Sequence, residues 1–166
     1  MANAEDFAAA EWAVICDAAH AAGLAMMLVG SSGLVGSLRE MLVAGRTAAG
    51  GARDASELIR SLCAPAAMQA MQTRVAEAIS GGEGQDPRAI LRERALGWLG
   101  EAVAVLRRKA PEELVAYRSW VLGFAGRVAA AGSEGGPLGI RGERVSAEEA
   151  ALLESLRAVF ATADGS

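Results

Sequence analysis

From Ala18 to Leu38 the chain carries no charged residue. A stretch this long and apolar has to be covered on nearly every side, by lipid or by the rest of the protein. Three features favour protein. Gly30-Ser31-Ser32-Gly33 interrupts the run, His20 lies inside it, and no basic cluster flanks it to mark a cytoplasmic boundary. The expectation is a helical hairpin buried on both arms, its first helix beginning between Ala4 and Glu11 and ending near Val29. Trp12, Ile15, Cys16, Ala19, Gly23 and Met26 or Met27 fall near helical spacing on one face of that helix.

The surroundings of the hairpin should be helical too. Alanine is the commonest residue, and β-branched and aromatic residues are few, which favours helices and offers little to pack a sheet. At 166 residues the chain can bury a core without disulfides or a metal. The expected fold is therefore all-α, a single compact bundle of about seven helices over 1–166, with frayed tails at 1–7 and 162–166.

Local punctuation places the helices. One covers about Leu34 to Ala48 and ends at a Gly50-Gly51 cap. Asp54 with Glu57 opens a short helix that stops before Pro65, and Pro65 suits the first turn of the next, which continues to about Ser80. After the turn Gly81 to Gln85, Asp86-Pro87 is an N-cap followed by proline at the first helical position, starting a helix that runs to about Lys109. Ala110-Pro111-Glu112-Glu113 restarts the chain, with acids where the helix dipole favours them. A glycine-rich loop over 132–142 leads to Ser146 and Glu149, whose spacing is that of a capping box for the last helix. The first helix and the two beginning at Pro87 and Pro111 should be central, with the last one closing the bundle.

Two segments set tryptophan beside glycines three apart, Gly97-Trp98-Leu99-Gly100 and Trp120-Val121-Leu122-Gly123-Phe124-Ala125-Gly126. If the chain reverses at Ala110-Pro111, these segments lie level on antiparallel helices. The pattern predicts Trp98 near Gly123 and Trp120 near Gly100, with Gly123→Leu overpacking the contact.

Chemistry-bearing groups are scarce. The net charge of -4 with dispersed basic residues gives no field for nucleic acid. Met26 to Gly36 imitates the strand and GxxGxxG turn of a dinucleotide-binding domain, but no second apolar strand with a ribose-binding acid follows. Cys16 and Cys63 are far apart, without CxxC spacing or companion histidines. They read as small buried hydrophobes in a reducing compartment, hence the cytoplasm, and Glu5 and Asp6 stand where a secretory signal would be basic. Asp17-Ala18-Ala19-His20 looks like half of a di-iron Glu-x-x-His motif, yet His20 is the only histidine. No catalytic residue and no cofactor is assigned. Glu134, Gly135, Gly136, Gly139, Glu143 and Glu149 form the candidate ligand loop, whose carboxylates could supply oxygens to a hard cation.

Glu134-Gly135-Gly136-Pro137-Leu138-Gly139, Gly142, Val145-Ser146 and Glu149, together with Trp12 and Ser32-Gly33-Leu34-Val35-Gly36, resemble a family of small bacterial all-helical proteins of uncharacterised function. In that family an EGGFLGFGG-like loop precedes VSxxE and the last helix. Pro137 and Ile140 stand where its loop has aromatic residues. The order helix, glycine turn, paired acids and helix is also similar to tellurite-resistance TerB-like domains, a resemblance that implies metal binding by loop acids. The leading functional reading is a non-catalytic helical interaction protein that pairs with itself. Behind it stand a cation- or small-ligand-binding domain using the Gly/Glu loop, and third an enzyme with a site near His20 using Asp17 or Glu11.

Overall fold

The computed structural model describes residues 2–29, 56–82, 84–133 and 146–164. Among these residues six α-helices follow one another: α1 (Ala9–Val29), α2 (Glu57–Leu62), α3 (Pro65–Ser80), α4 (Pro87–Lys109), α5 (Leu114–Ser133) and α6 (Ala147–Asp164). Short 3-10 turns at Ala4–Asp6 and Pro111–Glu113 precede α1 and α5. No strand occurs among the described residues, so the fold is all-α. Met26 to Val29, the strand position of the nucleotide-binding imitation, is the last turn of α1. The expected helix over 34–48, the Gly30 to Gly33 turn, the Gly50-Gly51 cap and Asp54 lie outside the described residues.

The punctuation explains the boundaries that are seen. Asp86 accepts from the Arg88 amide at 3.0 Å, and Pro87 and Pro65 each occupy the first turn of a helix, where a missing N–H costs nothing. The turn between α3 and α4 needs one left-handed residue, supplied by Gly84 at φ 77°. Ser56, not Asp54, is the N-cap of α2, and its side chain makes no capping bond.

α1 is the axis. Ile15 to Gly23 are all buried, as are Ala25, Met26 and Met27, so its middle has no solvent face. The reason is steric: six alanines from Ala13 to Ala25 leave room for neighbours all round. α4 makes the most extensive contact with α1, followed by α5, α3 and α6. Glu11 near the start of α1 pairs with Arg108 and Lys109 at the end of α4, so these two run antiparallel. Tyr117 meets Ile15 and Phe124 meets Gly23, so α5 runs alongside α1 in the same direction. α6 packs chiefly on α4 and α5.

Two expectations are corrected. Residues 2–7 are not a frayed tail: Ala2 and Phe7 are buried, the Ala2 amide donates to the buried Glu113 at 3.0 Å, and Asn3 and Asp6 form a capping box. Phe7 also stacks on Trp12 with ring centroids 6.1 Å apart. At the other end α6 continues to Asp164, taking in Thr162. The tryptophan-glycine pairing between α4 and α5 is absent as well. The two helices touch only slightly, because α1 takes the place between them. A side chain added at Gly97, Gly100 or Gly126 would meet open space, and at Gly123 only the Arg127 guanidinium at 3.6 Å. The glycine that does accommodate an aromatic ring is Gly23 of α1. An added Cβ there would lie 2.7 Å from Phe124 Cζ and closer still to Cε1.

Candidate functional site

Polar groups in an apolar helix need partners, and α1 carries two that are buried, Asp17 and His20. Asp17 is satisfied from α3. Arg74 Nε donates to Oδ2 at 2.6 Å and its terminal nitrogen to Oδ1 at 2.7 Å, a two-point fork on a carboxylate whose side chain is 5% exposed. An acid at the head of the uncharged stretch signals that a cation must reach it. Which of the arginines does so depends on how α3 packs.

His20 is satisfied at one nitrogen only. Nδ1 lies 2.9 Å from the Cys16 carbonyl, which can only accept, so Nδ1 carries the hydrogen and Nε2 the lone pair of the neutral ring. Nε2 is buried with no partner among the described residues. Burial lowers the imidazole pKa, against the opposing pull of the Cys16 carbonyl and the Asp17 charge. Across the seam the ring meets Trp120 edge-on, centroids 5.6 Å apart, and Phe124 at 6.5 Å. The Trp120 indole nitrogen is likewise buried and unpartnered. Tyr117 completes the layer, donating its hydroxyl to the Ile15 carbonyl at 2.8 Å, with burial pushing its pKa well above the ordinary tyrosine value.

The hydrogen bonds of this layer hold helices together, Tyr117 joining α5 to α1 and Arg74 joining α3 to α1. No hydroxyl or thiol is hydrogen-bonded to His20 among the described residues. Burial holds the Cys16 thiol at about 12 and the Cys63 thiol at about 11, so neither offers a thiolate near neutral pH. Cys16 is buried and Cys63 half-buried, and both are free. Glu11 is not brought to His20. It accepts from the Ala8 amide, Arg108 and Lys109, and the Lys109 hydrogen bond foremost draws its pKa down to about 2. Among the described residues no three His, Cys, Asp or Glu side chains converge to hold a metal.

Of the sequence-derived ligand loop, Glu134, Gly135, Gly136, Gly139 and Glu143 lie outside the described residues. Glu149 is described, and it is occupied. Its Oε2 accepts the Ser146 amide at 2.7 Å while the Ser146 hydroxyl accepts the Glu149 amide at 3.2 Å, the reciprocal cap that the spacing implied. Gly132 and Ser133, expected in the loop, belong to the last turn of α5.

One surface feature was not legible in the sequence. Between α1 and α3 runs a groove of about 450 Å³, with Trp12, Ala13 and Cys16 on one side and Ala64, Ala67 and Ala70 on the other. Its signal is the alanine content of both helices, but only their packing brings the two together. Comparison of the chain with protein-family models, with curated proteins and with solved structures returns no match.

Proposed function

We propose that the chain is a non-catalytic helical interaction protein that pairs with a second copy of itself through the alanine-lined groove between α1 and α3. The observation that carries this reading is how the polar side chains of the core are used. Asp17, Tyr117 and Glu113 each hold one part of the fold to another, Glu149 caps its own helix, and His20 lies sealed between α1 and α5. The groove, by contrast, presents small apolar walls that let a helix approach closely, with a half-buried indole at its base. α1 is long and apolar enough to cross a membrane, but 67% of its apolar window is buried inside the protein, which supports reading it as a core helix. A cytoplasmic setting belongs to the same reading, supported by two thiols that remain free.

Native mass spectrometry and light scattering of the intact chain test it. The expected species is a dimer of bare polypeptide mass, converted to monomer by Ala66→Glu with Ala70→Glu, both exposed helical positions whose substitution spares the core. A monomer at every concentration, or a dimer indifferent to these changes, overturns it. A reproducible extra mass lost in Glu134→Gln with Glu143→Gln would instead select the ligand-loop reading.

A further inference from the structure

The seam between α1 and α5 buries two ring nitrogens without a hydrogen-bond partner among the described residues, His20 Nε2 and Trp120 Nε1. Because Nδ1–H is committed to the Cys16 carbonyl, Nε2 presents a lone pair toward the α5 side. The polar atom buried on the facing ring is a donor, the Trp120 indole N–H, and it too lacks a partner. The two are not hydrogen-bonded to each other, and both lie in a slot that excludes water, His20 being 4% and Trp120 7% exposed. Phe124 closes that slot, stacked on Trp120 with centroids 5.2 Å apart and seated over Gly23. Protonation would turn Nε2 into a second donor and place two N–H groups in one apolar space.

The other groups around His20 do little to rescue its charged form. On α1 they are the Cys16 thiol and Asp17, and Asp17 is already neutralised by Arg74 from α3. From α5 comes Tyr117, whose hydroxyl is committed to Ile15, while Arg127 is exposed. α2 and α4 turn only apolar residues inward, Leu58, Ile59 and Leu62 from one and Leu99, Val103 and Leu106 among those of the other. The buried acid of α6, Glu149, is held in its cap with Ser146.

We propose that the contact of His20 with Trp120 is an acid-released latch, in which proton uptake puts a charge and a second unpaired N–H at the buried Nε2 and frees the Trp120–Phe124 stretch of α5 from α1. Acidification thereby exposes an aromatic helix face that is covered at neutral pH. The sign follows from burial: the folded state takes up this proton less readily than the unfolded chain, so the stability it contributes is present above about pH 6.5 and is lost as pH falls through the lower folded value.

His20 is the only histidine, so its imidazole NMR signals titrate without overlap. The expected result at pH 7.5 is a neutral ring with its hydrogen on Nδ1. As pH falls below 6.5, protonation should coincide with loss of near-ultraviolet tryptophan circular dichroism and with faster amide exchange along α5, all reversible on return to pH 7.5. Trp120→Phe keeps an aromatic ring but removes the opposing donor, and should raise the pH at which His20 titrates. His20→Gln should abolish the acid opening of α5; if that variant fails to fold, the Trp120→Phe titration decides alone. His20 protonating while α5 stays protected, the same acid opening in a folded His20→Gln, or an unmoved titration in Trp120→Phe overturns the latch.

Discussion

α1 is gripped by two neighbours in opposite ways. Against α4 it buries an aliphatic seam, with Ala95, Leu99, Ala102, Val103 and Leu106 turned inward from α4, and its polar contacts are confined to the rim, where Glu11 meets Arg108 and Lys109. Against α5 it buries aromatic rings and polar atoms together: Tyr117 on Ile15, Trp120 on His20 and Phe124 over Gly23. An aliphatic seam tolerates small shifts and is indifferent to pH. The aromatic seam is specific in register, because one glycine receives one ring, and sensitive to proton uptake, because His20 Nε2 has no partner among the described residues. The larger contact therefore contributes the bulk of apolar burial, and the smaller one decides how the helices are keyed together.

The comparison can be broken at graded strength. Arg74→Met should have the largest effect, because it strands the Asp17 carboxylate in the middle of α1; a loss of about 3 kcal/mol in urea unfolding is expected. A wild-type midpoint would mean that Asp17 is reached by water. Gly23→Ala should follow, losing about 1 to 3 kcal/mol as the new methyl meets the Phe124 ring. Should thermal stability rise instead, the ring is free to move aside and the seam is not keyed. Tyr117→Phe removes a single buried hydroxyl donor and should lower stability by about 1 kcal/mol, read by the same melts.

On the α4 side the signs reverse. Gly97→Ala or Gly100→Ala adds a methyl into open space and improves the helix, so a gain of up to about 1 kcal/mol is expected by calorimetry. A loss would reveal a neighbour for those glycines and revive a packing role for them. Glu11→Gln should have the smallest effect at neutral pH, since its ion pairs lie at the surface. Its carboxyl is held below the ordinary value of 4.5, so whatever it contributes is fully present above that pH and is lost as pH falls toward about 2. Acid titrations of the two proteins should therefore converge below pH 2. A difference that persisted there would assign the effect to packing and not to charge.

How much was legible follows from the range of each interaction. Pro65, Asp86-Pro87 and Ser146 with Glu149 act over a few residues, and they placed three helix starts where the structure has them. The same local logic misplaced the cap of α2 and treated residues 2–7 as a tail, because nothing near Ala2 in sequence announces Glu113, which lies 111 residues away. Of the candidate sites, the chemistry of His20 was readable as a lone imidazole on a helical face. That Glu11 is drawn off to α4 and Asp17 to α3 was not.

The tryptophan-glycine pattern shows the boundary most clearly. Spacing marked Gly97, Gly100, Gly123 and Gly126 as gaps for large rings and none of them receives one, because a gap has no address until helices are arranged around it. Gly97 and Gly100 open onto empty space while Gly23, one glycine in an alanine helix, receives the ring. By itself the sequence determined what local physics controls: an all-helical chain, most of its helix starts, and an uncharged stretch from Ala18 onward that must be covered. Only the tertiary structure decided which helices do the covering, which arginine reaches Asp17, and that His20 faces an indole. Those outcomes depend on contacts between residues far apart in the chain, and such contacts leave no periodic trace in it.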